Sequence, residues 1–264
     1  MIAFGPVPSR RLGKSLGINN IPAKICTYSC VYCQVGKTIS LNMERTAFYR
    51  SNNIFQAVKN KVDEALSRNE SIDYLTFVPD GEPTLDSNFK EEIALLKEID
   101  IPLAVITNSS LLWREDVRED LLEVDFVSIK VDAVTKELWK RINRPHKNLR
   151  LNAILEGLVD FTREFKGILV SETMLIDKVS YNNEFRKIGE FLGTLKGLNT
   201  TYLAIPTRPP AIKWVTSPSE AVINQAFQEF SKVLGIGKVE YLIGYECNAF
   251  AFTGNVEADL LGIT

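Results

Sequence analysis

Three of the four cysteines of this 264-residue chain, Cys26, Cys30 and Cys33, fall within the run ICTYSCVYCQ, and the fourth, Cys247, stands far downstream. Thiolates at a C-x3-C-x2-C spacing on one loop can converge on a single inorganic centre. Two centres compete. Structural zinc wants four closed ligands, so it would recruit Cys247 or the one histidine, His146. An iron–sulfur cluster on three thiolates instead leaves one iron open to an exogenous ligand. Zinc pairs usually come as two C-x2-4-C knuckles, so the spacing leans to the cluster without deciding the matter.

A second stretch, FVPDGEPTLD (77–86), follows a short apolar run, YLTFVP. Gly81 lets the backbone approach a ligand closely, Glu82 offers a carboxylate to an ammonium, and Pro83 stiffens the turn. An ordinary strand-to-helix turn with an exposed Glu would look the same. In DFVSIKVDA, Phe126, Ser128, Lys130 and Asp132 alternate onto one strand face. A lysine inside an apolar strand is costly unless paired; otherwise the strand lies at an edge and Lys130 points to water. Asn108 ends AVITNSS, where it can bond a cofactor or substrate or simply form a turn. Glu172, Arg144 and Arg208 are weaker candidates for a substrate side, since Arg suits carboxylate and phosphate but mostly covers surface. Arg10 and Arg11 either line the approach to the centre or stay on a flexible surface. His146 reads as structural or superficial, and Cys247 as a small semi-buried residue.

The elements that must position these residues alternate. NIFQAVKNKVDEAL carries Ile54, Phe55, Val58, Val62 and Leu66 at helical spacing after Asn52 and Asn53, which can cap it. YLTFVP reads as a buried strand, SNFKEEIALLKEI as a helix opened by a Ser cap, and IPLAVIT (101–107) as a strand. Helix 114–122, strand 125–131, helix 135–142, a helix near 148–164, strand 167–175, helix 183–195 and strand 201–206 follow. With an early strand at SLGINNI, about six parallel βα units result. Six are fewer than the eight of a closed barrel, so the sheet is open or the barrel incomplete; either way function belongs at the strand C-termini. After Pro206 the alternation stops at a proline-rich connection. The expected division is therefore a barrel over 1–210 and a small C-terminal extension over 211–264, with a helix (219–234) and a strand (238–243). The apolar ending LLGIT suggests that the natural protein continues.

Composition is ordinary for a globular chain, 45% hydrophobic and 24% charged. No run long enough to span a membrane and no secretory leader is evident. The clustered cysteines suit a reducing cytoplasm rather than a disulfide framework. A net charge of −2 argues against wholesale nucleic-acid binding. Residues 1–50 nonetheless hold seven Lys/Arg against Glu44, a local +6 that leaves −8 for the rest. That basic segment surrounds the cysteines and suits an anionic cofactor, substrate or redox partner.

The cysteine motif with an aromatic before its last cysteine (Tyr32), followed some fifty residues on by Gly-Glu-Pro at a strand end, resembles the radical S-adenosylmethionine enzymes. Residues 126–146, with Asn-Arg-Pro after a helix, and ETMLI (172–176) look like the 4-demethylwyosine synthase branch. The resemblance implies a partial (β/α)6 barrel with a C-terminal extension. It implies that Cys26, Cys30 and Cys33 bind three irons of a 4Fe–4S cluster and that S-adenosylmethionine chelates the fourth. Tyr32 would lie by the adenine, Gly81 and Glu82 would meet the methionine ammonium, and Lys130 would lie near the carboxylate and ribose. Ser128 and Asn108 would also face the cofactor, and Ile205 and Pro206 would wall the adenine. Reductive cleavage would give a 5′-deoxyadenosyl radical, with reduced flavodoxin or ferredoxin as electron donor. Wyosine-forming enzymes carry three further cysteines for a second cluster; this chain has none before Cys26, so the wyosine reaction is not implied. RNA or a nucleobase is the first substrate class, a peptide or protein the second, and a non-catalytic zinc-stabilised binding protein the rival of another kind.

Overall fold

A computed structural model describes residues 1–243; Cys247 and the apolar C-terminal end lie outside the described residues. An eight-stranded sheet runs in the order β1 (Ala3–Ser9), β2 (Gly13–Ile18), β5 (Tyr74–Phe77), β6 (Leu103–Ile106), β7 (Phe126–Lys130), β8 (Ile168–Met174), β9 (Leu198–Ala204) and β10 (Val239–Leu242). Two short strands, β3 (Ile25–Cys26) and β4 (Ser40–Leu41), pair apart from it. From β2 to β10 all pairs are parallel; β1 is antiparallel to β2. The six strands read from the sequence are the consecutive strands from β2 to β9. The sheet does not close into a barrel.

Helices α1 (Ser51–Ser67), α2 (Phe89–Leu96), α3 (Glu115–Leu121), α4 (Lys136–Ile142), α5 (Leu151–Glu164), α6 (Glu184–Gly193) and α7 (Glu220–Leu234) complete the chain. They pack on the outer sheet face, where Leu16, Ile18, Leu75, Phe77, Leu103, Val105, Val127, Ile129, Leu169 and Leu203 are buried. The opposite, inner face is also buried but carries polar side chains, among them Ser15, Thr76, Ser128, Ser171, Glu172 and Thr201. The segment expected as an extension supplies α7, which packs on α6, and β10, which prolongs the sheet beside β9.

Some local expectations shift. α1 begins after Arg50, so Asn52 and Asn53 lie inside it, and its buried stripe is Ile54, Val58, Val62 and Ala65 while Leu66 faces solvent. α2 follows Asn88 rather than Ser87, the Asn88 amide being taken by the Asp86 carboxylate at 2.9 Å.

The inner face has an apolar floor of Leu12, Ala104, Phe126 and Val170, joined by Tyr74, Ile106 and Tyr202. Leu12 belongs to the turn between β1 and β2, so the tip of this hairpin plugs the narrow end of the open barrel. Phe4 lies over Gly17, whose missing side chain makes room: a Cβ there would sit 2.1 Å from the ring.

Candidate active site

A cavity of about 380 Å³ occupies the C-terminal end of the parallel strands, where such folds carry chemistry. One wall is the cysteine loop, and all three cysteines line the cavity. The loop is fixed from two sides. Toward β5, the Lys24 amide donates to the Asp80 carbonyl at 2.6 Å and the Glu82 amide to the Ile25 carbonyl at 3.2 Å. Gly81 permits this, because a Cβ would stand 2.0 Å from the Ile25 oxygen. The backbone that Gly81 admits is thus the chain's own cysteine loop. Toward α4, the Ser29 amide donates to the Asn143 carbonyl and the Val31 amide to the Ile142 carbonyl. Tyr28 bridges Pro145, and the His146 amide donates to the Thr27 carbonyl at 2.9 Å. The Asn-Arg-Pro-His stretch is therefore a brace for the cysteines. The side chains of Arg144 and His146 do not line the cavity.

Cys26, Cys30 and Cys33 are free. Burial pushes the Cys30 thiol up to about 12 and the Cys26 thiol higher still, with neighbouring Asp132 and Glu82 adding to it. Such thiols ionise when a metal centre replaces their protons. Two amides are aimed at the sulfurs: Asn108 Nδ2 lies 3.4 Å from Cys26 Sγ, and Asn143 Nδ2 lies 3.5 Å from Cys30 Sγ. Hydrogen bonds of this kind tune clusters bound by thiolates. Asn143 came from no sequence signal beyond its place in Asn-Arg-Pro.

Glu82 is buried, and its carboxylate is held by its own chain. Oε1 accepts from Thr84 Oγ1 at 2.7 Å, the Thr84 amide at 3.3 Å and Thr107 Oγ1 at 2.6 Å, while Oε2 accepts from the Asn108 amide at 2.7 Å. Burial raises its pKa despite these donors. It ties the turns after β5 and β6 together while still lining the cavity, and its burial sets aside the reading of an ordinary turn with an exposed Glu.

Tyr32 is buried; its hydroxyl donates to Asp132, and Lys130 Nζ stands 5.2 Å from the ring centre. Asp132 does not continue the alternation of β7. Past the strand end its carboxylate accepts from Tyr32, from Asn143 Nδ2 at 2.6 Å and from the Met174 amide at 2.8 Å. Lys130 is paired, as an inward lysine requires: Nζ bonds Glu172 Oε1. Arg11 Nη1 reaches Glu172 Oε2 at 2.5 Å and Ser128 Oγ at 3.2 Å. Burial alone would raise the Glu172 carboxyl, but Lys130 and Arg11 outweigh it and hold it at about 2. Arg11 thus lies inside the barrel above the floor. Ile205, Pro206, Arg208 and Arg10 also line the cavity.

A model of the "Radical SAM superfamily" matches residues 20–192. The chain belongs to the radical SAM superfamily. It is an enzyme of that superfamily, whose members use a 4Fe–4S cluster and S-adenosylmethionine. A UPF0026 protein of Methanocaldococcus jannaschii is 52% identical over all 264 residues, which cover 81% of that relative. Among solved structures, a radical SAM methyltransferase from Sphaerobacter thermophilus superposes with a TM-score of 0.65 at 16% identity, covering 87% of this chain and 67% of that one. TYW1 with a lysine-pyruvate adduct bound gives 0.59 at 17% identity, covering 83% and 73%. At such identities these two show the fold, that of a partial barrel. No helix among the described residues is long and apolar enough to cross a membrane.

The donor set fits the cofactors of the family. Among the described residues no three His, Cys, Asp or Glu side chains are placed to hold a single metal ion, and His146 Nδ1 accepts from the Asn148 amide at 3.4 Å. A cluster takes one thiolate on each of three irons, and Cys26, Cys30 and Cys33 all line the same cavity.

Proposed function

We propose that Cys26, Cys30 and Cys33 bind a 4Fe–4S cluster with one iron left to S-adenosylmethionine, and that the enzyme uses the resulting radical on a nucleobase-containing substrate. When bound, the reduced cluster supplies an electron to the sulfonium, releasing methionine and a 5′-deoxyadenosyl radical. The observation that carries this reading is the placement of three thiols, two of them met by amide donors, on one wall of the cavity at the strand C-termini.

The chain's own residues divide the remaining work. Asn108 and Asn143 bond the sulfurs. Glu82 and Gly81 hold the loop to the sheet. Tyr32 and Lys130 form the side of the cavity next to the cysteines, where they would meet the nucleotide. Ser128 is buried behind that lining and would act on it only through Arg11, to which it is bonded. Ile205 and Pro206 form an apolar edge for its base. The buried lining excludes water from the reacting carbon. The basic segment about the cysteines suits an acidic flavodoxin or ferredoxin as electron donor, and the compartment is the cytoplasm, where thiols stay reduced.

Anaerobic purification tests this. The wild-type protein is expected to be brown and, once reduced with dithionite, to form 5′-deoxyadenosine. In Cys30→Ala both iron and turnover should fall to background while the far-ultraviolet dichroism stays intact. A colourless protein with stoichiometric zinc would instead identify a zinc-stabilised binding protein. Deuterium passing into 5′-deoxyadenosine from labelled RNA supports the nucleobase substrate, and transfer from a labelled peptide instead points to protein modification.

A further inference from the structure

The side chains at the bottom of the cavity form a chain leading away from the cysteines: Lys130 beside the Tyr32 ring, then Glu172, then Arg11 on the far side of that carboxylate. Arg11 does not come from a strand of the parallel sheet. It is delivered by the β1–β2 turn, whose next residue, Leu12, is fixed in the apolar floor. Its neighbour Arg10 is tied at 2.7 Å to the Ile243 carbonyl beyond β10, so the turn is held across the open side of the sheet.

Two half-buried cations face one buried carboxylate here. Asp132, the other acid near Lys130, is turned to Tyr32, Asn143 and the Met174 amide. Arg11 directs Nη1 to Ser128 and Glu172, and its Nε and Nη2 donors have no partner among the described residues. Its side chain is 13% exposed and borders the cavity. A guanidinium with a free edge, held rigid at its other edge, is built for bidentate bonding to a planar or tetrahedral oxyanion. The wider cavity agrees. Arg10, Arg11, Lys24, Lys130 and Arg208 line it against Asp80, Glu82 and Glu172, in a chain whose net charge is −2.

We propose that the substrate carries a carboxylate or phosphate that docks on the free edge of Arg11. The inference rests on the radical reading above and assigns the substrate's anchoring group. Lys130, next to Tyr32 and the cysteines, stands on the nucleotide side; Arg11, beyond Glu172, stands on the substrate side. Glu172 orients the guanidinium and also competes with the incoming anion for it.

The test is calorimetric titration of anaerobically reconstituted protein, saturated with S-adenosylhomocysteine, with inorganic phosphate and separately with acetate. One of the two ions is expected to bind alongside the nucleotide, and which one binds names the anchoring group. Arg11→Gln should weaken that ion at least tenfold while leaving S-adenosylhomocysteine affinity within about twofold. Glu172→Gln should tighten it at least threefold, because the competing charge is gone while an accepting oxygen still orients Arg11. A purely structural ion pair predicts no gain in Glu172→Gln. An unchanged affinity in Arg11→Gln, absence of binding by either ion, or competition between the ion and the nucleotide would each overturn the proposal. Should Arg11→Gln fail to fold, Glu172→Gln decides by itself: a gain supports the assignment, and no change or a loss refutes it. Iron content and the visible spectrum of the same samples judge the cluster reading separately.

Discussion

At the cysteine wall, Glu82, Asn108 and Asn143 direct their hydrogen bonds to the chain itself: to Thr84, Thr107, Thr27, Asp132 and two cysteine sulfurs. At the floor, Arg11 and Lys130 meet around one carboxylate, and Arg11, which lines the cavity, has two donor nitrogens without a partner among the described residues. The wall suits a group that never changes, so its supports are saturated and rigid. The floor suits a group that arrives and leaves. A buried polar network that is complete rigidifies its surroundings, and one with donors to spare is available for a ligand.

The contrast can be broken most severely at Gly81. In Gly81→Ala the new methyl would meet the Ile25 oxygen at 2.0 Å, so the cysteine loop must leave the β5 turn. Iron retention should drop to background while the sheet stays folded, measured as iron per protein beside a dichroism spectrum. Retention at the wild-type level would mean that the loop reaches its geometry without that contact.

Glu82→Ala comes next. It leaves the donors of Thr84, Thr107 and Asn108 without their acceptor, at a cost of about 1–3 kcal/mol for each buried donor left unmet. Even at about 1 kcal/mol for each of the four donors, a fall in melting temperature of roughly 8–16 °C is expected, since about 1 kcal/mol moves a domain of this size by ~2–4 °C. Affinity for S-adenosylmethionine should weaken with it. A variant that melts as wild type would show the carboxylate to be dispensable to the wall.

The smallest effect lies beneath the wall. Asn20 Nδ2 stands 3.2 Å from both the Pro83 carbonyl and Glu92 Oε2. Burial pushes the Glu92 carboxyl up to about 9, with Asp86 adding to it, and burial pushes Asp86 to about 6. Both acids hold protons more tightly in the folded chain than in the unfolded one. Stability from this pair is therefore complete below about pH 4, the unfolded range, and declines as pH rises toward about 9. Glu92→Gln should flatten the fall in urea midpoint across that window, and a pH profile identical to wild type would contradict the assignment.

Much of the fold was legible because the outer sheet face is apolar and the helices repeat at 3.6 residues, so strands β2 to β9 stand out in sequence. The cysteines were legible by spacing alone, and Lys130 by being a charge inside an apolar strand. Other features were not. Arg11 reads equally as lining or as flexible surface in sequence, because its position depends on a hairpin folding into the barrel, a long-range event that no local pattern encodes. Asn143 was hidden for the same reason: it approaches Cys30 across 113 positions of sequence. Glu82 was legible as a motif, but its bracing task was not, because four donors from two separate turns converge on it only in three dimensions. The end of α1 is legible to within a residue, but Leu66, which fits the helical spacing, faces solvent.

Electron–nuclear double resonance on the reduced protein, with S-adenosylmethionine labelled at the methionine nitrogen and carboxylate, tests the central claim most directly. The account predicts hyperfine coupling from both labels to one iron, lost in Cys30→Ala. Iron coordinated by a fourth protein side chain, with neither label coupled, would contradict it.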